Sequence, residues 1–130
     1  MPKEHWKQDP EDHDFPAALK YLSLLLRPDK AESITTALRS AAGTTGKAKD
    51  LLRASGLELL PPDNAHVASD LAKVKAGQPL SPVLLVRGDL DRSRSLTIAD
   101  GYHRICASYH PDENADIPCR IVDLPPAAHQ

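Results

Sequence analysis

The residues from Leu96 to Tyr109 concentrate more chemistry than any other stretch of the chain. Leu96-Thr97-Ile98-Ala99 reads as a short apolar strand, and Asp100-Gly101 as the turn that follows it. Tyr102-His103-Arg104 then opens a helix that continues to Tyr109. The first turn of a helix has unpaired backbone N–H groups and carries a partial positive charge. A glycine beside it allows close backbone approach, and a guanidinium adds bidentate hydrogen bonding, so the combination suits an anion such as phosphate. In this reading Gly101, His103 and Arg104 hold the phosphate, and Tyr102 covers the ligand or stacks on it, or else packs on a neighbouring loop. Asp100 holds a metal ion or accepts a substrate proton. Glu58, in the extended segment Leu57-Glu58-Leu59-Leu60-Pro61-Pro62, is a second candidate base. The bland alternative is a simple helix cap, in which Asp100 satisfies the free amides and Arg104 reaches solvent.

The elements that must position these residues follow from periodicity. Asp14 caps a helix whose Leu19, Leu22, Leu25 and Leu26 recur at helical spacing until Arg27-Pro28. Asp29 caps a second helix with Ile34 and Leu38 on one face, and Gly43-Thr44-Thr45-Gly46 reads as an interhelical loop. That loop fails as a phosphate loop, because its glycines are too close and no Ser or Thr follows Lys47. A third helix runs from Lys47 to Ser55 and stops at Gly56. Asp63 or Asn64 caps a helix from Ala65 to Ala76, with Val67, Leu71 and Val74 as its apolar face. Pro82 to Val86 is apolar enough throughout to be a strand buried on both faces. Ile117 to Val122 is the last strand, and Pro118 suits its start or an edge. The chain thus divides into a flexible N-terminus (1–13), disordered or loosely docked, a helical extension (14–56), a mixed α+β part (57–124) and a tail (125–130).

Composition limits the function classes. The chain has 130 residues, 41% hydrophobic and 26% charged, as expected of an ordinary globular domain. A net charge of −2 argues against nucleic acid as partner, because a dedicated binder carries a basic face. The longest apolar run, Leu22 to Leu26, is too short to span a membrane, and the polar N-terminus has no leader pattern, so a cytoplasmic location is expected. Cys106 and Cys119 read as reduced core thiols, and no metal-ligand set is evident in the spacing. The leucines of the first helix read as core, or else as a partner or homo-oligomer surface.

From Leu57 to Asp123 the order of segments resembles the ParB/sulfiredoxin superfamily. The residues that carry the likeness are Leu-Ser-Pro-Val-Leu-Leu-Val, Leu-Thr-Ile-Ala-Asp-Gly-Tyr-His-Arg and Ile-Pro-Cys-Arg-Ile-Val. The resemblance implies a small mixed sheet flanked by helices, an α+β fold, with ATP or CTP bound at the Gly101–Arg104 turn, with or without Mg²⁺. It further implies nucleotide-dependent phosphotransfer or hydrolysis. The alternative is a non-catalytic interaction module with a vestigial phosphate turn. Two departures narrow the reading. Tyr102 stands where sulfiredoxins carry their catalytic cysteine, which argues against a sulfinic-acid reductase. Arg104 stands alone where partition proteins are arginine-rich, which argues against chromosome partitioning.

Overall fold

The computed structural model describes residues 5–124. In chain order the elements are α1 (Asp14–Leu22), α2 (Pro28–Ser40), β1 (Gly43–Lys47), α3 (Ala48–Ser55), α4 (Ala65–Lys75), β2 (Val83–Val86), β3 (Thr97–Asp100), α5 (Tyr102–Tyr109) and β4 (Asp116–Val122). The strands form one mixed sheet in the order β1-β4-β2-β3. β2 runs parallel to β4, while the β1–β4 and β2–β3 pairs are antiparallel.

β2 is buried at every position, and its side chains alternate between two cores. Val83 and Leu85 face the helical layer of α3, α4 and α5, where they join Leu52, Val67 and Ile105. Leu84 and Val86 face α1 and α2, where they meet Phe15, Leu22, Ile34 and Leu38. A continuous apolar strand is what a sheet covered on both sides requires, so the fold is a three-layer α+β arrangement.

Local signals place some helix ends, though Asp14 and Asp29 are not the caps expected of them. They lie inside the first turns of α1 and α2, whose cap positions are His13 and Arg27 with no side-chain cap. The Asn64 side chain accepts from the backbone N–H groups of His66 and Val67 at 3.0 and 3.2 Å, a true N-cap. Gly56 closes α3 in the left-handed region at φ 70°. Helix α1 is shorter than its leucine spacing predicts. It ends at Leu22, and residues 23–26 form turns, with Leu24 N–H bonded to the Tyr21 carbonyl at 3.0 Å. Leu22 is buried in the core, whereas Leu25 is 56% exposed.

Three expectations need correction. Gly43–Gly46 is not an interhelical loop: with Lys47 it forms the edge strand β1, paired with Arg120 to Asp116 of β4. Its two threonines suit a strand, but a polar edge strand has no apolar alternation to reveal it. Secondly, residues 14–56 are not a separate extension, since β1 completes the sheet and Ala48, Leu51 and Leu52 share a core with Val83 and Ile105. Thirdly, residues 5–13 are docked. Trp6 bridges to Leu80, and the Lys7 N–H donates to the Leu80 carbonyl at 2.8 Å. Residues 1–4 and the tail 125–130 lie outside the described residues.

Pro118 sits in β4, which has neighbours on both sides, yet its position is permissive. At residue 118 β4 pairs only with Thr45 of β1, and its pairing with β2 begins at Cys119. The missing N–H is therefore not withheld from β2. No helix among the described residues is long and apolar enough to cross a membrane.

Candidate functional site: the turn between β3 and α5

Gly101 is the N-cap of α5, with φ 111°, a backbone conformation that side-chain-bearing residues rarely adopt. Steric contact demands glycine as strongly. A Cβ here would lie 2.4 Å from Val83 Cγ1 and 2.8 Å from its Cβ. The turn is thus pressed against the central strand β2. No side chain caps α5, so the expected cap by Asp100 is not made.

Asp100 instead accepts a hydrogen bond from Arg104 Nη2 at 3.0 Å. The same nitrogen donates to the Pro82 carbonyl at 3.2 Å, and Arg104 Nε is buried without a partner. Both side chains of the ion pair are mostly buried, with 16% and 18% exposure for Arg104 and Asp100. Arg104 therefore ties α5 to the ends of β2 and β3. Burial pushes the Asp100 carboxyl above the usual carboxylate range, and the guanidinium only partly reverses this.

His103 projects from the first turn of α5 onto α4. Its ring lies 4.6 Å from that of His66, centroid to centroid, tilted by 40°. Burial, then the neighbouring His66, hold the His103 imidazole below its ordinary pKa, against the pull of Asp70. Asp70, near Lys73, is pushed upward by burial.

Together Asp100, Gly101, His103 and Arg104 form one wall of a pocket of about 240 Å³. The opposite wall is the row His66, Ser69, Asp70 and Lys73 of α4. Asp70, Lys73 and Arg104 also line a neighbouring cleft of about 350 Å³, floored by Leu80 and Ser81 and flanked by the docked N-terminal segment. The α4 row was absent from the expected site residues. Its signal is the spacing i, i+3, i+4, i+7, which puts the four polar side chains on one helical face. Nothing local says that this face meets the β3–α5 turn.

No model of a known family, no curated protein and no solved structure matches this chain. The site must accordingly be read from its own geometry.

Two expected residues lie away from the pocket walls. The Tyr102 hydroxyl donates to the backbone carbonyl of Glu58. Tyr102 thereby fastens the extended segment before α4 and does not line the pocket. Glu58 has an exposed side chain and lines neither the pocket nor the neighbouring cleft. The structure thus does not bring Glu58 to the turn as a base. Cys106 is fully buried in the core, and burial raises its thiol pKa, which disfavours the nucleophilic thiolate.

One donor group was not read from the sequence. Glu11, His13 and Asp14 place one potential metal-ligating atom each within 4.8 Å of one another, beside the neighbouring cleft. All three groups are already engaged, His13 Nε2 lying 3.2 Å from Glu11 Oε2 and 3.4 Å from Asp14 Oδ1. The Glu11 carboxylate pairs with Lys7, and Asp14 accepts the Glu11 N–H at 2.9 Å. A cation there would have to compete with the Lys7 ammonium.

Proposed function

We propose that the β3–α5 turn binds the phosphates of a nucleotide of the ATP or CTP class, in a fold of the ParB/sulfiredoxin kind. The observation that carries the reading is the convergence on one pocket of the uncapped α5 N-terminus with His66, Lys73, His103 and Arg104. A helix N-terminus attracts anions, and a guanidinium with adjacent imidazoles adds charge-assisted donors. Mg²⁺ bound with the nucleotide would neutralise further phosphate charge; of the pocket's two carboxylates Asp100 is bonded to Arg104 at 3.0 Å and Asp70 lies 3.9 Å from Lys73, so Asp70 is the freer ligand. Transfer of a phosphoryl group to water or to a second substrate then depends on positioning and charge stabilisation, with no special nucleophile required.

A second reading has an observation in its favour. Asp100 and Arg104 bond each other, and Gly101 is demanded by Val83. Each thus has a structural role that needs no ligand, which suits a non-catalytic module with a vestigial turn.

Calorimetry separates the two. Titration with ATP, CTP and GTP, with and without Mg²⁺, is expected to show saturable binding of at least one nucleotide. Arg104→Ala is expected to weaken it by about 10- to 100-fold, the loss of a charge-assisted donor worth roughly 1.5–3 kcal/mol. The absence of heat with every nucleotide overturns the proposal and leaves the interaction module.

Binding is also expected to strengthen as pH falls. Burial and the neighbouring His66 disfavour the His103 imidazolium in a pocket that also holds Asp70, Lys73, Asp100 and Arg104. An incoming phosphate favours the imidazolium and raises the His103 pKa, so complex formation takes up a proton. Calorimetry in buffers of different ionisation enthalpy should register that uptake between pH 6 and 8, and His103→Gln should abolish most of it. Equal binding at both pH values would remove His103 from the phosphate site.

A further inference from the structure

A second cleft lies on the opposite side of the sheet, against α1 and α2. It holds about 320 Å³, and Leu22, Leu25, Leu26, Val86 and Leu124 form its apolar lining. Lys30, Arg92 and Arg94 surround it, and among the described residues no carboxylate lines it. Among the described residues, Lys30 and Arg94 have no side-chain partner, and Arg92 reaches Asp89 only at 3.8 Å. The apolar surface continues beyond the cleft along the chain, where Leu24 is 80% exposed and Tyr21 is 42% exposed. Single exposed leucines are ordinary, but three large apolar residues within five positions at a cleft mark a contact surface.

We infer that this cleft docks a helical segment of a partner protein that carries leucines flanked by aspartate or glutamate. Charge complementarity selects the occupant: an apolar lining surrounded by three cations, of which only Arg92 has a carboxylate within 4 Å among the described residues, fits an apolar segment bearing acids. The mode is a helix laid in a groove, read by anchors at i, i+3, i+4 and i+7. A small anionic amphiphile would fill the cleft but leave Leu24 and Tyr21 in water, whereas a helical segment covers both. The surface is independent of the β3–α5 turn, since the two lie on opposite faces of the sheet and share no lining residue.

The test uses the full chain and fluorescence polarisation with labelled helical peptides of roughly four turns. One peptide carries leucines at the four anchor positions with flanking glutamates, a second has lysines in place of the glutamates, and a third has alanines in place of the leucines. The glutamate–leucine peptide is expected to bind at least about tenfold tighter than either control. Leu25→Asp should abolish the preference, and Lys30→Glu with Arg94→Glu should reverse it toward the lysine peptide. These side chains are exposed or at the cleft edge, and circular dichroism with a thermal melt checks that the variants remain folded. Equal binding of all three peptides, or no binding, overturns the inference. Binding of decanoate without any peptide binding overturns it in favour of a small amphiphile. Dimerisation in light scattering that Leu25→Asp removes, without peptide binding, overturns it in favour of a second copy of this chain.

Discussion

Gly101→Ala is expected to cost about 3 kcal/mol of folding stability, because two penalties coincide at this residue. A non-glycine side chain in left-handed backbone costs about 1–2 kcal/mol. Overpacking against a well-filled core adds about 1–3 kcal/mol, and here the new Cβ would stand 2.4 Å from Val83 Cγ1 on a strand that is buried at every position. Gly77 supplies the control. It has φ 72°, but a Cβ there meets nothing within 4 Å. Gly77→Ala is accordingly expected to cost only about 1 kcal/mol, the backbone contribution alone. Urea unfolding of both variants measures the difference. Equal losses at the two positions would mean that the contact with Val83 is easily relieved. A double variant, Gly101→Ala with Val83→Ala, should recover part of the loss by removing the opposing methyl groups, which a thermodynamic cycle reads as favourable coupling.

The second large effect is expected at the Asp100–Arg104 pair. Asp100→Ala removes the acceptor of a mostly buried guanidinium whose Nε already has no partner. Breaking a fully buried pair costs about 3–5 kcal/mol, and the partial exposure of this one brings the expectation to about 2 kcal/mol. Asp100→Ala combined with Arg104→Met should regain much of that, since the orphaned charge is then gone.

Asp100→Asn keeps an acceptor oxygen and removes the buried charge, so it should stay within about 1 kcal/mol of the unmodified protein at neutral pH. The pH dependence has a definite sign. Burial raises the folded-state pKa of Asp100 above its unfolded value. The folded state thus holds the proton more tightly, and the resulting stability is complete below the ordinary carboxylate range. It is lost as pH rises through the raised folded value, and Asp100→Asn should gain on the unmodified protein across that interval. A constant gap in urea midpoints from acid to neutral pH would contradict the raised carboxyl.

The candidate site was half legible in the sequence. Asp100, Gly101, His103 and Arg104 are neighbours in the chain, and the passage from strand through Asp-Gly to helix is a local pattern. The β3–α5 element therefore appears with its expected bounds to within a residue. The facing row of His66, Ser69, Asp70 and Lys73 was not legible as a site. A polar helical face looks the same whether it meets solvent or another element, and the packing of α4 on α5 decides between them. Tyr102 shows the converse: its place in the chain left open a role at the pocket or packing on a neighbouring loop, and the tertiary structure turns its hydroxyl to the Glu58 carbonyl.

What the sequence determined by itself is what short-range physics governs. Asn64 and Gly56 end their helices through bonds and dihedrals within a few residues. The apolar run of β2 demands cover on both faces wherever it lies. Gly101 permits the turn that aims the α5 N-terminus. Only the tertiary structure decided the rest. The edge strand β1 takes its hydrogen bonds from β4, about seventy residues away, and leaves no apolar period behind. Trp6 reaches Leu80 in the same way, drawing the N-terminal segment onto the sheet side of the site. Backbone pairing between distant segments depends on N–H and C=O groups that almost every residue carries, so side-chain periodicity does not record it.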